Sequence, residues 1–236
     1  MKLRLIAQGS SRWDRFRKRW GLSFLLGEDL LFDTFGREDI FRKNLEKFGV
    51  AREQIKHVVL SHEDWDHITG FRSLASKERP RPVYLCRDSQ PAVKALLRDL
   101  GARLIEIDGP AEITEGVFTL GQMPAVTRHG PLTEQALAVR SPRGISVVTG
   151  CAHPGILAIV EKAAAFFGKS ISTICGGFHM KENSEEENTR ILETLRARGV
   201  ERIVPLHCTG IKACALFRAR YGDSCIDLRE GGTLEL

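Results

Sequence analysis

Ser61-His62-Glu63-Asp64-Trp65-Asp66-His67 is the stretch on which the reading of this chain turns. It follows the short apolar run His57-Val58-Val59-Leu60 and leads into Ile68-Thr69-Gly70, so a buried strand delivers His62, Asp64, Asp66 and His67 into one loop. Imidazole and carboxylate at this density suit a borderline or hard divalent metal such as zinc, iron or manganese. The plain alternative is a polar turn that happens to hold two histidines. Turn chemistry has no need of histidine, and two histidines and two aspartates within six positions favour a ligand loop.

Around this loop lies a chain of 236 residues, 42% of them hydrophobic, enough for a sizeable core. No linker or low-complexity tract divides it, so residues 1–236 are expected to form a single domain. No apolar run reaches the about 18 to 20 residues needed to span a bilayer, and no apolar stretch with a cleavage site follows Lys2 and Arg4. A cytoplasmic protein with no membrane partner is the expectation. The six cysteines, Cys86, Cys151, Cys175, Cys208, Cys214 and Cys225, form no C-x-x-C pair and read as reduced thiols. A net charge of +5 favours anionic partners, whether phosphorylated metabolites, nucleic acid or acidic surfaces. The densest basic run, Arg12 to Arg19, interleaves Trp13 and Phe16 and is followed by Trp20. It reads either as a flap that holds an anion by guanidinium pairing and ring stacking or as a solvated surface segment.

The element pattern is mixed. Lys2–Ala7, Leu22–Leu26 and Leu30–Phe32 read as an opening antiparallel sheet. Ile40, Phe41, Leu45 and Phe48 recur at helical spacing before Gly49, a glycine C-cap. Pro82–Cys86 reads as a strand, Asp88 as an N-cap, Pro91–Leu100 as a helix stopped by Gly101, and Arg103–Ile107 as the next strand. Val117–Leu120, Gln135–Arg140 and Ile145–Thr149 make a second antiparallel sheet, the last two joined at Ser141-Pro142-Arg143-Gly144. The final third alternates a helix over Ile156–Phe167, a strand over Ile171–Cys175, a helix over Glu185–Arg198 and a strand over Arg202–Leu206.

Three of these strands run straight into a histidine: Gly150-Cys151-Ala152-His153, Gly176-Gly177-Phe178-His179 and His207-Cys208-Thr209-Gly210. Of seven histidines only His57 and His129 fall outside the opening loop and these strand ends. A lone strand-end histidine is ordinarily structural. Three of them beside a four-ligand loop point instead to one crevice, because strand-end loops on one edge of a layered fold converge, and isolated buried imidazoles would each need a separate partner.

These residues resemble the metallo-β-lactamase superfamily, whose His-x-His-x-Asp-His loop stands here as His62-x-Asp64-x-Asp66-His67. The second histidine is replaced by aspartate, a departure also familiar in the competence-type DNA-uptake proteins of that superfamily. Oxygen in place of nitrogen keeps the position a ligand and leaves the metal's identity open. Gly21-Leu22-Ser23, Leu31-Phe32-Asp33-Thr34, Thr149-Gly150-Cys151-Ala152-His153-Pro154-Gly155-Ile156, Gly176-Gly177-Phe178-His179 and Pro205-Leu206-His207-Cys208-Thr209-Gly210 together resemble one branch, the 7,8-dihydropterin-6-methyl-4-(β-D-ribofuranosyl)aminobenzene-5'-phosphate synthase-like proteins. The resemblance covers nearly the whole chain. It implies an α+β fold, an αββα sandwich of two mixed sheets flanked by helices, with metals in a cleft at one edge.

By the same resemblance, His62 and Asp64 would bind a first metal, and Asp66, His67 and His207 a second, the two ions being zinc, with iron or manganese as alternatives. His153 is the choice for the first metal's remaining histidine, with His129 its competitor on chain order. Cys151 would be a thiolate ligand or bridge, or else a small packed residue. Asp66 would also orient the nucleophile. His179 would stand near the metals as a proton donor or phosphate contact, or as a structural imidazole, with Lys181 and Arg12 as weaker candidates for anion contact. The implied activity is a metal-dependent hydrolase acting through metal-activated water on a small anionic or phosphorylated metabolite, with a pterin-linked reaction as the specific case. A nuclease or phosphodiesterase is the alternative enzyme, and a metal-binding or redox scaffold the alternative of a different class.

Overall fold

The computed structural model describes residues 1–10 and 19–236. Arg12 and the basic run up to Lys18 lie outside them. The first half of the chain runs β1 (Lys2–Gly9), β2 (Gly21–Leu26), β3 (Leu30–Phe32), α1 (Glu38–Lys47), β4 (His57–Val59), α2 (Trp65–Ile68), β5 (Arg81–Cys86), α3 (Pro91–Asp99) and β6 (Ala102–Ile107). The second half runs β7 (Ala111–Thr114), β8 (Val117–Thr119), β9 (Met123–Thr127), β10 (Gly130–Glu134), β11 (Leu137–Ser141), β12 (Gly144–Thr149), α4 (Ile156–Phe167), β13 (Ile171–Gly177), α5 (Glu185–Ala197), β14 (Arg202–Leu206), α6 (Ile211–Tyr221) and β15 (Thr233–Glu235).

Two mixed sheets result. One has the strand order β15-β1-β2-β3-β4-β5-β6, the other β14-β13-β12-β11-β8-β7, and β9 and β10 form a separate hairpin. Strands β3 to β6 are parallel neighbours, as are β12 to β14, and the remaining pairings within the two sheets are antiparallel.

Side-chain alternation explains the layering. In β2 and β3, Phe24, Leu26, Leu30 and Phe32 face the second sheet, where they meet Leu137, Val139, Val148 and Val204. Their neighbours Leu25 and Leu31 point the other way, against Phe41 and Leu45 of α1 and Leu97 of α3. The second sheet repeats the arrangement: Ala138, Val147, Ile174 and Ile203 turn outward onto Ile159 and Val160 of α4, Leu192 and Leu195 of α5 and Phe217 of α6. Both faces of both sheets are thus apolar and covered, giving the αββα sandwich. No helix among the described residues is long and apolar enough to cross a membrane.

Some expectations need correction. Asp88 does not cap α3; Pro91 at the first helical position puts the cap at Gln90, while Asp88 exchanges two hydrogen bonds with Gln122. Gln135 lies before β11, not in it, and bridges the sheets by donating through Nε2 to the Leu60 carbonyl at 2.9 Å and through its backbone to Ser61 O at 2.8 Å. The β9–β10 hairpin, α6 and the edge strands β7 and β15 are not legible in the pattern, because α6 spreads its apolar residues around the helix and buries only Ala213 and Phe217, and the strands are short.

Helix α1 ends in a Schellman motif: Val50 N donates to Leu45 O at 2.8 Å and Gly49 N to Glu46 O at 3.1 Å, with Gly49 at φ +67°. Helix α5 ends the same way through Gly199 and Val200. A β-carbon on Gly49 would meet nothing within 4 Å, so only backbone strain opposes a side chain there. Gly49→Ala is therefore expected to destabilise the fold by about 1 kcal/mol, read as a lower urea midpoint at unchanged slope; an unchanged midpoint would contradict this account of the cap.

Candidate metal centre

The centre is assembled where parallel strands of both sheets end on the same edge. Asp33, just past β3, is fully buried at φ +58°. Its Oδ1 accepts from Ser61 N at 2.7 Å, and its Oδ2 accepts from Ser61 Oγ and from His67 Nδ1, both at 2.7 Å. Because the Ser61 hydroxyl spends its proton on Asp33, the 2.8 Å contact between His62 Nδ1 and Ser61 Oγ has the imidazole as donor. One carboxylate thereby orients both histidines of the loop.

The loop turns into α2 at Trp65, which places Asp66 and His67 side by side in its first turn. Thr34 holds this turn from the next strand end, donating through its backbone at 2.8 Å and its hydroxyl at 2.9 Å to the His67 carbonyl. Asp66 Oδ2 stands 3.3 Å from His67 Nε2 and 3.3 Å from His207 Nε2, while Asp64, more exposed, has Oδ2 3.5 Å from His62 Nε2. Burial opposes ionisation of Asp66, but His67 and His207 outweigh it and hold its pKa well below the usual carboxylate range. Burial likewise opposes charging of His67, and Asp33 and Asp66 overcome it, raising its pKa well above the ordinary value.

The second sheet brings the opposite wall. After β12, Gly150 passes against Ser61, where a β-carbon would run into the Ser61 hydroxyl and sit 2.9 Å from Asp33 Oδ2. Cys151 follows, its Sγ 3.3 Å from His67 Nε2. The loop to His153 is gripped by Glu134 at the end of β10. Glu134 Oε1 accepts from Cys151 N at 2.9 Å and Ala152 N at 2.8 Å; Oε2 accepts from His153 N and His153 Nδ1, both at 2.8 Å. Burial opposes this carboxylate's charge too, yet His62 and His153 keep its pKa far below normal. His207, after β14, donates from Nδ1 to the Gly9 carbonyl at 2.7 Å.

Four imidazoles, those of His62, His67, His153 and His207, thus each spend their Nδ1–H on a fixed acceptor and present Nε2 to a common space. His62 Nε2 and His207 Nε2 are buried with no hydrogen-bond partner. Orphaned buried acceptors of this kind are rare unless a ligand satisfies them. The donor atoms of His62, Cys151 and His153 lie within 4.8 Å of one another, as do those of His67, Cys151 and His207, so Cys151 is common to both sets. The residues present fit a divalent metal, and nitrogen with sulfur donors suits zinc or iron well.

Of the candidates read from sequence, His62, Asp64, Asp66, His67, Cys151, His153 and His207 are brought together. His179 sits at the mouth, its ring centroid 4.4 Å from that of His153, outside both donor sets. His129 belongs to no such set among the described residues; it lies exposed at the β9–β10 turn with Nε2 accepting from Arg128 Nε at 3.0 Å. His57 is spent on the Tyr84 hydroxyl at 3.1 Å. Glu134 went unremarked, and the signal that would have found it is one carboxylate in the otherwise polar-uncharged or apolar run Leu132-Thr133-Glu134-Gln135-Ala136. Asp33, quoted above only as part of a family pattern, carries the loop's orientation.

Asp64, Asp66, Cys151 and His153 line a cleft of about 350 Å³ together with Trp20, Trp65, Arg128, His129 and Lys181. Trp20 packs on the His207 ring at 4.9 Å, with Lys181 Nζ 5.0 Å above its own ring. Among the described residues five non-glycine residues have positive φ, and four of them, Asp33, Ala152, His179 and His207, belong to this centre. Strained backbone concentrates where geometry is imposed by function.

Known proteins share this architecture. A solved structure described as Tm1679, a metal-dependent hydrolase of the beta-lactamase superfamily, superposes with TM-score 0.81 at 28% identity over 100% of this chain and 99% of the other. The metallo-beta-lactamase fold protein YhfI from Bacillus subtilis superposes with TM-score 0.64 over 96% and 92% of the two chains, at 14% identity, a likeness of fold. In sequence, the chain is 25% identical to the 7,8-dihydropterin-6-methyl-4-(beta-D-ribofuranosyl)-aminobenzene-5'-phosphate synthase of Methanocaldococcus jannaschii, over 92% of this chain and 90% of that protein. The family model of the metallo-beta-lactamase superfamily matches residues 21–207, and with the strand-end centre described above the chain belongs to that superfamily.

Proposed function

We propose that the chain is a hydrolase dependent on two divalent metal ions, zinc first among them, acting on a small anionic or phosphorylated metabolite. The observation that carries this reading is the set of four anchored imidazoles converging on Cys151, two with orphaned Nε2 atoms. His62, Asp64 and His153 would hold one ion and Asp66, His67 and His207 the other, with the Cys151 thiolate between them. Metal bound there supplies Lewis acidity, polarising a substrate oxygen and acidifying water from a pKa of about 15.7 toward ~7.

The chain's own residues do the rest. Asp66, pinned between two imidazoles, offers a carboxylate oxygen that orients the attacking nucleophile. His179, open to the cleft, donates a proton to the leaving group. Lys181 and Arg128 draw an anion to the rim, and Trp20 and Trp65 form apolar walls against which a ring can lie. The likeness to the methanogen synthase supports a pterin-linked phosphate as the specific case. A screen over phosphate esters, lactones and pterin-type compounds would identify the substrate.

Chelation is expected to abolish the activity found in that screen and zinc, manganese or ferrous ion to restore it; a purified chain that holds no metal and takes up none would refute the proposal. His207→Ala should lower kcat/KM by more than about 100-fold, with loss of bound metal measured alongside. Glu134→Gln replaces an acceptor of four N–H bonds with a group that must point its amide hydrogens at two of them. It is expected to weaken one of the two metal equivalents by about 10- to 100-fold and leave the other, so equal loss of both in metal titrations would show that Glu134 merely supports the fold.

A further inference from the structure

One further set of donors in the cleft shares only Cys151 with the two imidazole groups. The ligand atoms of Cys151, His179 and Cys208 lie within 4.8 Å of one another, and of the three only Cys151 belongs to the sets described above. Cys208 and His179 stand on adjacent strand ends, Cys208 following His207 after β14 and His179 following Phe178 after β13. The two loops are tied by Phe178 N donating to Thr209 Oγ1 at 3.1 Å. Cys208 is buried and Sγ donates to the Cys151 carbonyl at 3.5 Å, while His179 is exposed toward the cleft.

The backbone makes room for this thiol. A β-carbon on Gly177 would stand 2.6 Å from Cys208 Sγ and would also run into the Gly150 carbonyl, so the glycine opens the space that Cys208 occupies. His179 adopts φ +50°, a conformation that non-glycine residues take at a cost, and it turns the imidazole back over the cleft beside His153. Two sulfurs and one nitrogen make a softer donor set than the imidazole and carboxylate groups deeper in the centre, and soft donors select thiophilic ions.

We propose that Cys208 and His179, sharing Cys151 with the deeper sets, form a third cation position at the mouth of the cleft, selective for thiophilic ions of the Cd(II) and Cu(I) kind. It rests on the reading above for the identity of the two deeper positions. An ion held there occupies His179 and so withdraws it from proton transfer, which makes such an ion an inhibitor of the hydrolase as well as a ligand.

The test uses the full chain, stripped by chelator and titrated with cadmium, reading bound metal per chain by mass spectrometry and the sulfur-to-cadmium charge-transfer absorption. The wild type is expected to take up a third equivalent that Cys208→Ser and His179→Ala each lose, with charge-transfer intensity falling in Cys208→Ser. His179→Ala changes an exposed side chain, so it guards against a folding defect in the cysteine variant. Saturation at two equivalents in the wild type, unchanged in Cys208→Ser, overturns the third position and leaves the paired centre standing. A single equivalent that survives His153→Ala and His207→Ala but not Cys208→Ser supports the cleft position and overturns the paired centre. No uptake at all overturns both.

Discussion

The hydrogen bond from each imidazole Nδ1–H, to an anchor on a different strand end directly or, for His62, by way of Ser61, is the constraint on which the rest of the centre depends. Asp33 after β3 serves His67 directly and His62 through Ser61; Glu134 at the end of β10 serves His153; the Gly9 carbonyl at the end of β1 serves His207. Each anchor fixes a ring orientation, so that the Nε2 atoms face one another. Because the anchors are spread over β1, β3 and the β10 hairpin while the imidazoles follow β4, β12 and β14, the site exists only when the two sheets are docked.

Such an arrangement is costly. Asp33 and Glu134 are carboxylates buried against imidazoles and backbone amides, and removing one partner from a buried charged pair ordinarily costs about 3–5 kcal/mol. Imidazole rings are crowded together as well, with centroids 4.1 Å apart for His62 and His67 and 4.7 Å for His62 and His153. The apolar inter-sheet core of Phe24, Phe32, Leu137, Val148 and their neighbours offsets this, and the outer helices seal both sheets. A rigid sandwich therefore carries a strained, charge-dense edge, the usual division between scaffold and site.

Cys151 is the point where the two walls meet. Gly150 brings its loop against Ser61, Glu134 grips the amides on either side, and the sulfur lands within reach of both imidazole sets. In the metal-free chain, burial and neighbouring Cys208 push this thiol well above its ordinary pKa, so it is a cation that would draw out the thiolate. The rim differs in character: Trp20, Trp65, Arg128 and Lys181 pair flat apolar surface with positive charge, a combination suited to a ring bearing an anionic group.

By its motifs' resemblance to a known superfamily the sequence pointed to the sandwich, and it named most of the residues that converge on the cleft. Short apolar runs of strand length such as β2, β3, β11 and β12 and glycine-stopped helices such as α1 and α4 are local signals, and a ligand-dense loop such as His62 to His67 is legible because its chemistry lies in neighbouring positions. Chain order alone left His129 and His153 as rivals, and only the tertiary structure separated them, since His153 follows a core strand to the edge while His129 lies on a hairpin turn exposed to solvent. Glu134 and Asp33 were silent for the same reason. A buried carboxylate's role is set by the amides and imidazoles packed around it, and for Glu134 these are 17 to 19 residues away, for Asp33 28 to 34, distances that close only when strand ends meet.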